Sequence, residues 1–195
     1  MDYKIFFVII SSVLTIASVI PYLVEVVRKQ TKPRIVSWFI WSVITGIAAV
    51  AALYDHQYAT AVLLFSAMSE TLAVVIFGWK NGDKKILTLD IVCFVGAIVG
   101  IILWVIFNSP AVAVIATILI DFIGGIPTLV HSWKKPNEET WITFMACFFA
   151  SLLTIATLSD WRITSAAYPI YLVFINLEFT LVIVLRKKYL ELKKR

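Results

Sequence analysis

Three carboxylic acids lie inside long apolar stretches of this sequence, where an acid has few structural reasons to be. Glu70, Asp121 and Glu178 are flanked on both sides by apolar runs, and those runs contain no Lys or Arg. An ionised carboxylate in an apolar medium is costly unless it has a cation or hydrogen-bonding partner. Two interpretations are open. Either these acids bind a solute or relay protons, or each is a protonated carboxyl that hydrogen-bonds a neighbouring helix.

The segments that hold these acids have the length and composition of transmembrane helices. Of 195 residues, 61% are hydrophobic and 15% are charged, whereas soluble domains average about 45–50% apolar and about 25% charged residues. A helix needs roughly 20 apolar residues to cross a bilayer. Seven stretches qualify, namely residues 5–27, 35–54, 58–79, 86–107, 111–133, 141–159 and 166–185. We therefore expect an all-α integral membrane protein with seven transmembrane helices, the first of them retained rather than cleaved as a signal peptide.

The distribution of basic residues predicts the orientation of these helices. Of the 17 Lys and Arg residues, 15 lie in the first, third and fifth loops and in the tail, and only Lys4 and Arg162 lie on the other side. The positive-inside rule then places the N-terminus outside and the C-terminus in the cytoplasm. Anionic headgroups at that surface account for the net charge of +5, so no nucleic-acid partner is expected.

Two passages about a hundred residues apart indicate an internal repeat. They read "IPYLVEVVRKQTKPRIVSW" over 20–38 and "GIPTLVHSWKKPNEETW" over 125–141. Pro21 and Pro127 are offset by 106 residues, the two Lys-Pro pairs by 103, and Glu70 and Glu178 by 108. We expect a first three-helix bundle over 1–80, a linker helix over 81–109 and a second three-helix bundle with a basic tail over 110–195. The linker gives both bundles the same orientation, which predicts parallel repeats with a solute site between them.

Four residues of the first and fifth helices are candidates for a hinge or gate. Pro21 and Pro127 each remove a helical hydrogen bond, which kinks the helix or gives it a hinge. Glu25 and His131 each follow one of these prolines by four residues. They would lie near the cytoplasmic ends, where they either form a gate or extend to the interface.

Two tryptophans of the second helix are candidates for solute contact. Trp38 and Trp41 share one helical face, and they either stack on a sugar or aromatic base or belong to the aromatic belt at the interface. Cys93 and Cys147 lie in apolar segments and are expected to be packing residues.

Residues 21–41, "PYLVEVVRKQTKPRIVSWFIW", and residues 127–144, "PTLVHSWKKPNEETWITF", resemble the repeated signature of the PQ-loop and SWEET superfamily. That signature is a proline late in the first helix of each bundle, then a basic loop and the start of the next helix. The resemblance implies two three-helix bundles joined by a linker helix, an outside N-terminus and a cytoplasmic C-terminus. A weaker resemblance to Pnu-type vitamin transporters rests on the Trp content and on "FGWKNG" at the end of the third helix.

Several positions depart from the superfamily pattern. The Gln that follows the proline is Tyr22 and Thr128 here, and the second prolines of SWEET sugar carriers correspond to Ser37 and Thr140. Those carriers also hold the sugar with an Asn in the third and seventh helices. Asn176 corresponds to the second of these, while an offset of 108 gives Met68 as its partner.

These features predict a membrane transporter of a small polar solute, sugar-like in the first interpretation, that alternates access between two bundles as a uniporter or with proton linkage. The predicted substrate-binding residues are Glu70, Asp121, Asn176, Glu178, Trp38 and Trp41. The alternatives are a transporter of a vitamin, nucleoside or cationic solute, and a non-transporting ligand or cargo receptor of the PQ-loop type.

The expected partners follow from the same interpretation. They are a small-molecule substrate, the lipid bilayer, protons or cations, and further copies of the chain in a homo-oligomer. The sequence has no metal-ligand cluster, phosphate-binding loop or nucleophile–base motif, so neither enzyme activity nor a cofactor or metal is expected. The short loops favour a multi-pass protein of a prokaryotic plasma membrane.

Overall fold

The computed structural model describes residues 3–107, 109–158 and 160–193. Its helices are α1 (Tyr3–Val27), α2 (Ile35–Tyr54), α3 (Tyr58–Gly78), α4 (Thr88–Phe107), α5 (Pro110–Lys134), a 3-10 turn (Pro136–Glu138), α6 (Trp141–Thr157) and α7 (Ile163–Lys193). The described residues form no strand, and their only bridge is an isolated one between Arg34 and Asp83. The all-α class predicted from the sequence is therefore confirmed.

Helix α7 differs most from its predicted segment. It runs over 31 residues to Lys193, eight residues beyond the predicted end at 185. Apolarity marks where a helix leaves the membrane but not where it ends, and Leu, Glu and Lys in "YLELK" all favour helix. The described part of the basic tail is thus a helical extension, while Lys194 and Arg195 lie outside the described residues.

The helices have the surface of a membrane protein. Within the described residues, α1, α2, α3, α5 and α7 are long and apolar enough to cross a bilayer, and the apolar α6 has 17 residues. Helix α1 carries a stripe of exposed apolar side chains, formed by Ile5, Ile9, Val13, Ile16 and Ile20, each at least half exposed. A continuous apolar stripe of this kind is covered by lipid in an integral membrane protein.

The helices pack in two similar sets of contacts. Helix α3 contacts both α1 and α2, and α7 contacts both α5 and α6. Further contacts join α1 to α6 and α2 to α5, while α4 packs against α5 and α2. Six helices therefore surround a common interior, and α4 lies outside that ring.

The segments rich in basic residues meet at one end of the bundle, which we call the basic end. It comprises loops 28–34, 79–87 and 135–140 and the last turns of α7. Ile35 donates its backbone N–H to the Asp83 carbonyl, and Lys187 donates its Nζ to the Glu139 carbonyl at 2.9 Å. At the opposite end, Arg162 is 3.8 Å from Asp55.

An ion pair anchors α4 at the basic end. The Arg34 guanidinium lies 3.0 Å from the Asp90 carboxylate and 3.8 Å from Asp83. Arg34 and Asp90 are both buried. Asp90 also accepts a hydrogen bond from the Leu87 backbone N–H at 2.7 Å. Its carboxylate therefore caps the N-terminus of α4 as well as pairing with the first loop. Removal of one partner would leave a buried charge without compensation, so breaking this ion pair would destabilise the fold.

Gly82 allows the third loop to touch the first. A Cβ at Gly82 would lie 2.5 Å from Ile35 Cδ1 and 2.8 Å from the Pro33 carbonyl oxygen. The Pro33 oxygen belongs to the backbone, so it cannot turn away as a side chain would. This close approach sets the two hydrogen bonds between Asp83 and residues 33–35.

The substitution Gly82→Ala should therefore destabilise the folded chain by about 1–3 kcal/mol, the usual cost of overpacking. The measurement is the thermal unfolding midpoint of the purified protein in detergent. Gly96→Ala in α4 is the matched control, since its Cβ would meet Ile120 at 3.5 Å, an ordinary contact and the sole one among the described residues, and Ala favours helix. Equal midpoints for the two variants would contradict this account of Gly82.

Candidate functional site

A cavity of about 90 Å³ lies in the interior of the helix ring. Among the described residues, every helix except α4 contributes to its wall. The described residues that line it are Thr15, Trp38, Trp41, Thr45, Leu63, Ala67, Glu70, Thr71, Asp121, Thr143, Phe144, Cys147, Ser151, Tyr168, Leu172, Ile175, Asn176 and Phe179. Five of the six predicted substrate-binding residues are in this set.

The cavity lining repeats itself along the chain. Residues of α1 and α2 have counterparts 106 positions later, and residues of α3 have counterparts 105 positions later, that also line the cavity. The pairs are Thr15 with Asp121, Trp38 with Phe144, Trp41 with Cys147, Thr45 with Ser151, Leu63 with Tyr168, Ala67 with Leu172, Glu70 with Ile175, and Thr71 with Asn176. Positions that line the cavity in α1–α3 therefore match positions that line it in α5–α7.

This pairing corrects the expected equivalence of Glu70 and Glu178. Glu178 is exposed on α7 and does not line the cavity. Its counterpart at an offset of 105 is Ala73, and the counterpart of Asn176 is Thr71 rather than Met68. Three residues along a helix leave a side chain about 60° from its starting direction, so an acid matched with an offset three residues too long can lie beyond the edge of the cavity face.

Glu70 lies on the wall formed by α3, α6 and α1. Its two carboxyl oxygens are each 3.6 Å from Cys147 Sγ, which is itself 3.3 Å from Ser18 Oγ. A thiol is a weak donor, and the other group near Glu70 is the neutral Ser18 hydroxyl. Besides packing, Cys147 therefore lines the cavity beside an acid.

Asp121 lies on a different wall, where α5 meets α7 and α2. The Tyr171 hydroxyl donates a short hydrogen bond to Asp121 Oδ2, and Trp41 Nε1 is 3.5 Å from the Asp121 backbone oxygen. Tyr171 was not singled out from the sequence. A tyrosine at a helix interior position opposite an acid carries no local sequence signal, since the contact joins residues 50 positions apart.

Aromatic rings close the cavity toward the basic end. Trp38 meets Tyr22 at 5.0 Å and Trp41 edge-on at 5.2 Å between ring centroids. Phe144 stacks on Phe179 at 4.6 Å. Trp38 and Trp41 are buried, so the alternative that they belong to an interfacial belt does not hold.

Two polar groups on the cavity wall have no hydrogen-bond partner among the described residues. They are the Trp38 indole N–H and the Thr15 hydroxyl, and both residues are about 3% exposed. Buried donors are normally paired. An unpaired donor that lines a cavity is therefore available to a solute or to water.

Glu25 joins the two repeated passages at the basic end. It accepts hydrogen bonds from the Thr31 hydroxyl at 2.7 Å and from the Thr140 hydroxyl across the bundle. Tyr22 donates to Glu139 Oε2 at 3.3 Å. We call Tyr22, Glu25, Glu139 and Thr140 the end clasp, because their contacts link α1 to the start of α6.

The other predicted gate residues make none of the hydrogen bonds of this clasp. His131 Nε2 is 3.1 Å from Glu138, so Glu25 and His131 do not pair with each other. Pro21 and Pro127 lie inside α1 and α5, which continue beyond them. Pro21 is next to the clasp residue Tyr22, while Pro127 follows Gly125, whose Cβ would lie 3.5 Å from Phe179.

Glu139 is the residue of the end clasp that the sequence did not single out. It is 2% exposed, and this burial raises its pKa from 4.5 to about 8, although the Tyr22 hydrogen bond opposes the shift. Nearby Glu138 and Glu25 raise the pKa further, and Lys187 lowers it. Nothing in "PNEET" shows which of two adjacent glutamates is buried.

No protein-family model, curated protein or solved structure matched this chain when it was compared with each. Within the described part of the chain, no group of three His, Cys, Asp or Glu side chains could hold a metal ion. The candidate site therefore has to be interpreted from its own geometry.

The raised pKa of Glu139 predicts a pH dependence of stability. The folded chain holds a proton that the unfolded chain releases above its ordinary pKa of 4.5. The contribution to stability is therefore complete below about pH 4.5 and is lost as pH rises to about 8. The slope contributed is at most about 1.4 kcal/mol per pH unit.

Glu139→Gln keeps a neutral hydrogen-bonding group and should flatten this slope. The measurement is the unfolding midpoint in detergent from pH 5 to pH 8.5, with the exposed Glu191 changed to Gln as control. A Glu139→Gln curve parallel to that of the unmodified protein would show that Glu139 does not titrate in this range.

Proposed function

We propose that this chain is a membrane transporter of a small polar solute that alternates access to a central cavity between two three-helix bundles. The bundles are α1–α3 and α5–α7, α4 is the linker helix, and the basic end faces the cytoplasm. The observation that carries the proposal is the cavity itself. It is lined by paired positions from both halves and holds Glu70, Asp121 and two unpaired donors.

The two ends of the cavity support alternating access. Toward the basic end, the end clasp and the aromatic rings of Trp38 and Phe144 cover it. Toward the opposite end, the packing is formed by Tyr168 and Val114 against Leu64 and the small side chains of Ala48, Ala49, Ala52 and Ala61. Because the two ends are closed by separate sets of contacts, one can open while the other stays closed.

A neutral, hydroxyl-rich solute is one class that suits this wall. Carboxyl groups, Asn176 and Thr15 offer hydrogen bonds, and Trp41 offers an apolar ring face for a sugar. The aromatic wall also supports a second candidate, a solute with a planar ring such as a vitamin or nucleoside. Either solute could be bound by a receptor that does not transport it.

Uptake into liposomes tests the proposal. The purified chain is reconstituted and offered a panel of labelled sugars, nucleosides and amines, with and without a pH gradient. We expect uptake of at least one solute, and Glu70→Gln should reduce it by about tenfold or more because the cavity loses an acidic group. Glu178→Gln is the matched control and should transport like the unmodified chain.

The pattern of losses distinguishes the competing interpretations. Equal losses from Glu70→Gln and Glu178→Gln would contradict the placement of the site. Binding of a solute with no uptake under any gradient would favour a receptor over a transporter.

A cross-link between the bundles tests whether they move. Ser18 Oγ and Cys147 Sγ are 3.3 Å apart on α1 and α6, so Ser18→Cys needs only a small adjustment to form a disulfide with Cys147. In a Cys93→Ser background, oxidation should abolish uptake and reduction should restore it. Unchanged uptake with the disulfide shown to be formed would rule out separation of α1 from α6 during transport.

A further inference from the structure

The residues that line the cavity occupy paired positions in α1–α3 and α5–α7, but the members of a pair differ in charge. Glu70 corresponds to Ile175 and Asp121 corresponds to Thr15 across the two halves. If the cavity served only a neutral solute, an Asn or Thr at these positions would offer hydrogen bonds without the cost of a buried carboxylate. That cost is about 2.5–3.5 kcal/mol per acid on membrane-insertion scales. Two acids on different walls therefore need a reason of their own.

Nothing on the wall neutralises the two acids. None of the eighteen described residues that line the cavity is Lys, Arg or His. Glu70 is approached by the Cys147 thiol, at 3.6 Å, and by the Ser18 hydroxyl, and neither group carries a positive charge. Asp121 accepts the hydroxyl of Tyr171 at one of its two oxygens. Each acid thus retains capacity for a positive partner.

The remaining wall also suits a cation. Trp41 lies edge-on to Phe179 at 6.4 Å, and Phe179 stacks on Phe144. Aromatic faces attract alkylated ammonium groups, and this attraction strengthens when water is excluded. The Trp38 N–H, which lies near the Tyr22 hydroxyl but makes no hydrogen bond of ordinary geometry among the described residues, can donate to a hydroxyl or carbonyl oxygen on the same solute.

We propose that the cavity binds a small organic cation, an alkylated or protonated amine that also carries a hydrogen-bond acceptor. The ammonium group lies between Glu70 and Asp121 against the aromatic wall, and the acceptor faces the Trp38 N–H. The proposal rests on the function proposed above in that it uses the same cavity. It narrows the solute from small and polar to cationic.

The test uses choline and its neutral isostere 3,3-dimethylbutan-1-ol, which has the same shape and hydroxyl but a carbon in place of the charged nitrogen. Binding to the purified full chain in detergent is measured by calorimetry and by quenching of tryptophan fluorescence. We expect choline to bind at least about tenfold more tightly than the isostere. Glu70→Gln and Asp121→Asn should each remove most of that preference, while Glu178→Gln keeps it.

The labelling rate of a cavity cysteine gives a second measure of whether the site is occupied. Cys147 is labelled with a maleimide in a Cys93→Ser background, and choline should slow the reaction more than its isostere does. Each variant must first give the unmodified elution profile and unfolding midpoint. Should a carboxamide variant fail to fold, Trp38→Phe supplies a replacement, because it keeps the ring and removes the N–H. This variant should bind choline more weakly. Its affinity for trimethylpropylammonium, which lacks the hydroxyl, should be unchanged.

The outcomes separate this inference from the proposed function. Equal affinities for choline and its isostere, or a preference that survives both carboxamide substitutions, would overturn it. Uptake of a neutral sugar without choline binding would overturn it while leaving the transporter proposal intact. Choline binding that depends on Glu70 and Asp121, without uptake of any solute, would support it while refuting transport.

Discussion

A buried acid in an apolar helix bundle needs a partner within the bundle, and this requirement organises the interior of the protein. Asp90 meets it with Arg34 at 3.0 Å, and the pair joins the linker helix to the first loop. Glu25, which is half-buried, meets it with two threonine hydroxyls. Glu70 and Asp121 meet it only in part, since Glu70 contacts a thiol and the Ser18 hydroxyl and Asp121 contacts one phenol. The fuller pairing thus occurs at the basic end, and the partial pairing occurs at the cavity.

The sequence predicted the helices well because each is defined by properties of neighbouring residues. Apolar runs set the spans, and Pro33, Pro110 and Pro136 mark where helices cannot continue. The segment predicted at 35–54 has the bounds observed for α2. The grouping of basic loops at one end could also be predicted, because successive loops of a helix bundle lie at alternating ends.

The cavity was harder to predict because it depends on which way each helix is rotated. Glu70 and Glu178 look alike in sequence, yet one is 6% exposed and lines the cavity while the other faces outward. Corresponding loops differ in length, so the offset between corresponding residues changes from 103 positions at the Lys-Pro pairs to 105 or 106 positions at the cavity. Cys147, Tyr171 and Glu139 owe their environments to residues far along the chain, so no local pattern could identify them.

The two acids of the cavity lie in different surroundings, and this difference affects how a solute could be oriented. In a bundle with identical halves, a solute would meet the same groups from either side, and its orientation would be free. Here Glu70 comes from α3 and its thiol neighbour Cys147 comes from α6, across the cavity, whereas Asp121 and its neighbour Tyr171 come from α5 and α7 of the same set. These two environments differ in donor strength, because a phenol hydroxyl is a stronger donor than a thiol. The Asp121 wall is thus better satisfied without a ligand. In the proposed cation site, Glu70 is therefore the acid whose interactions would change most when a cation binds.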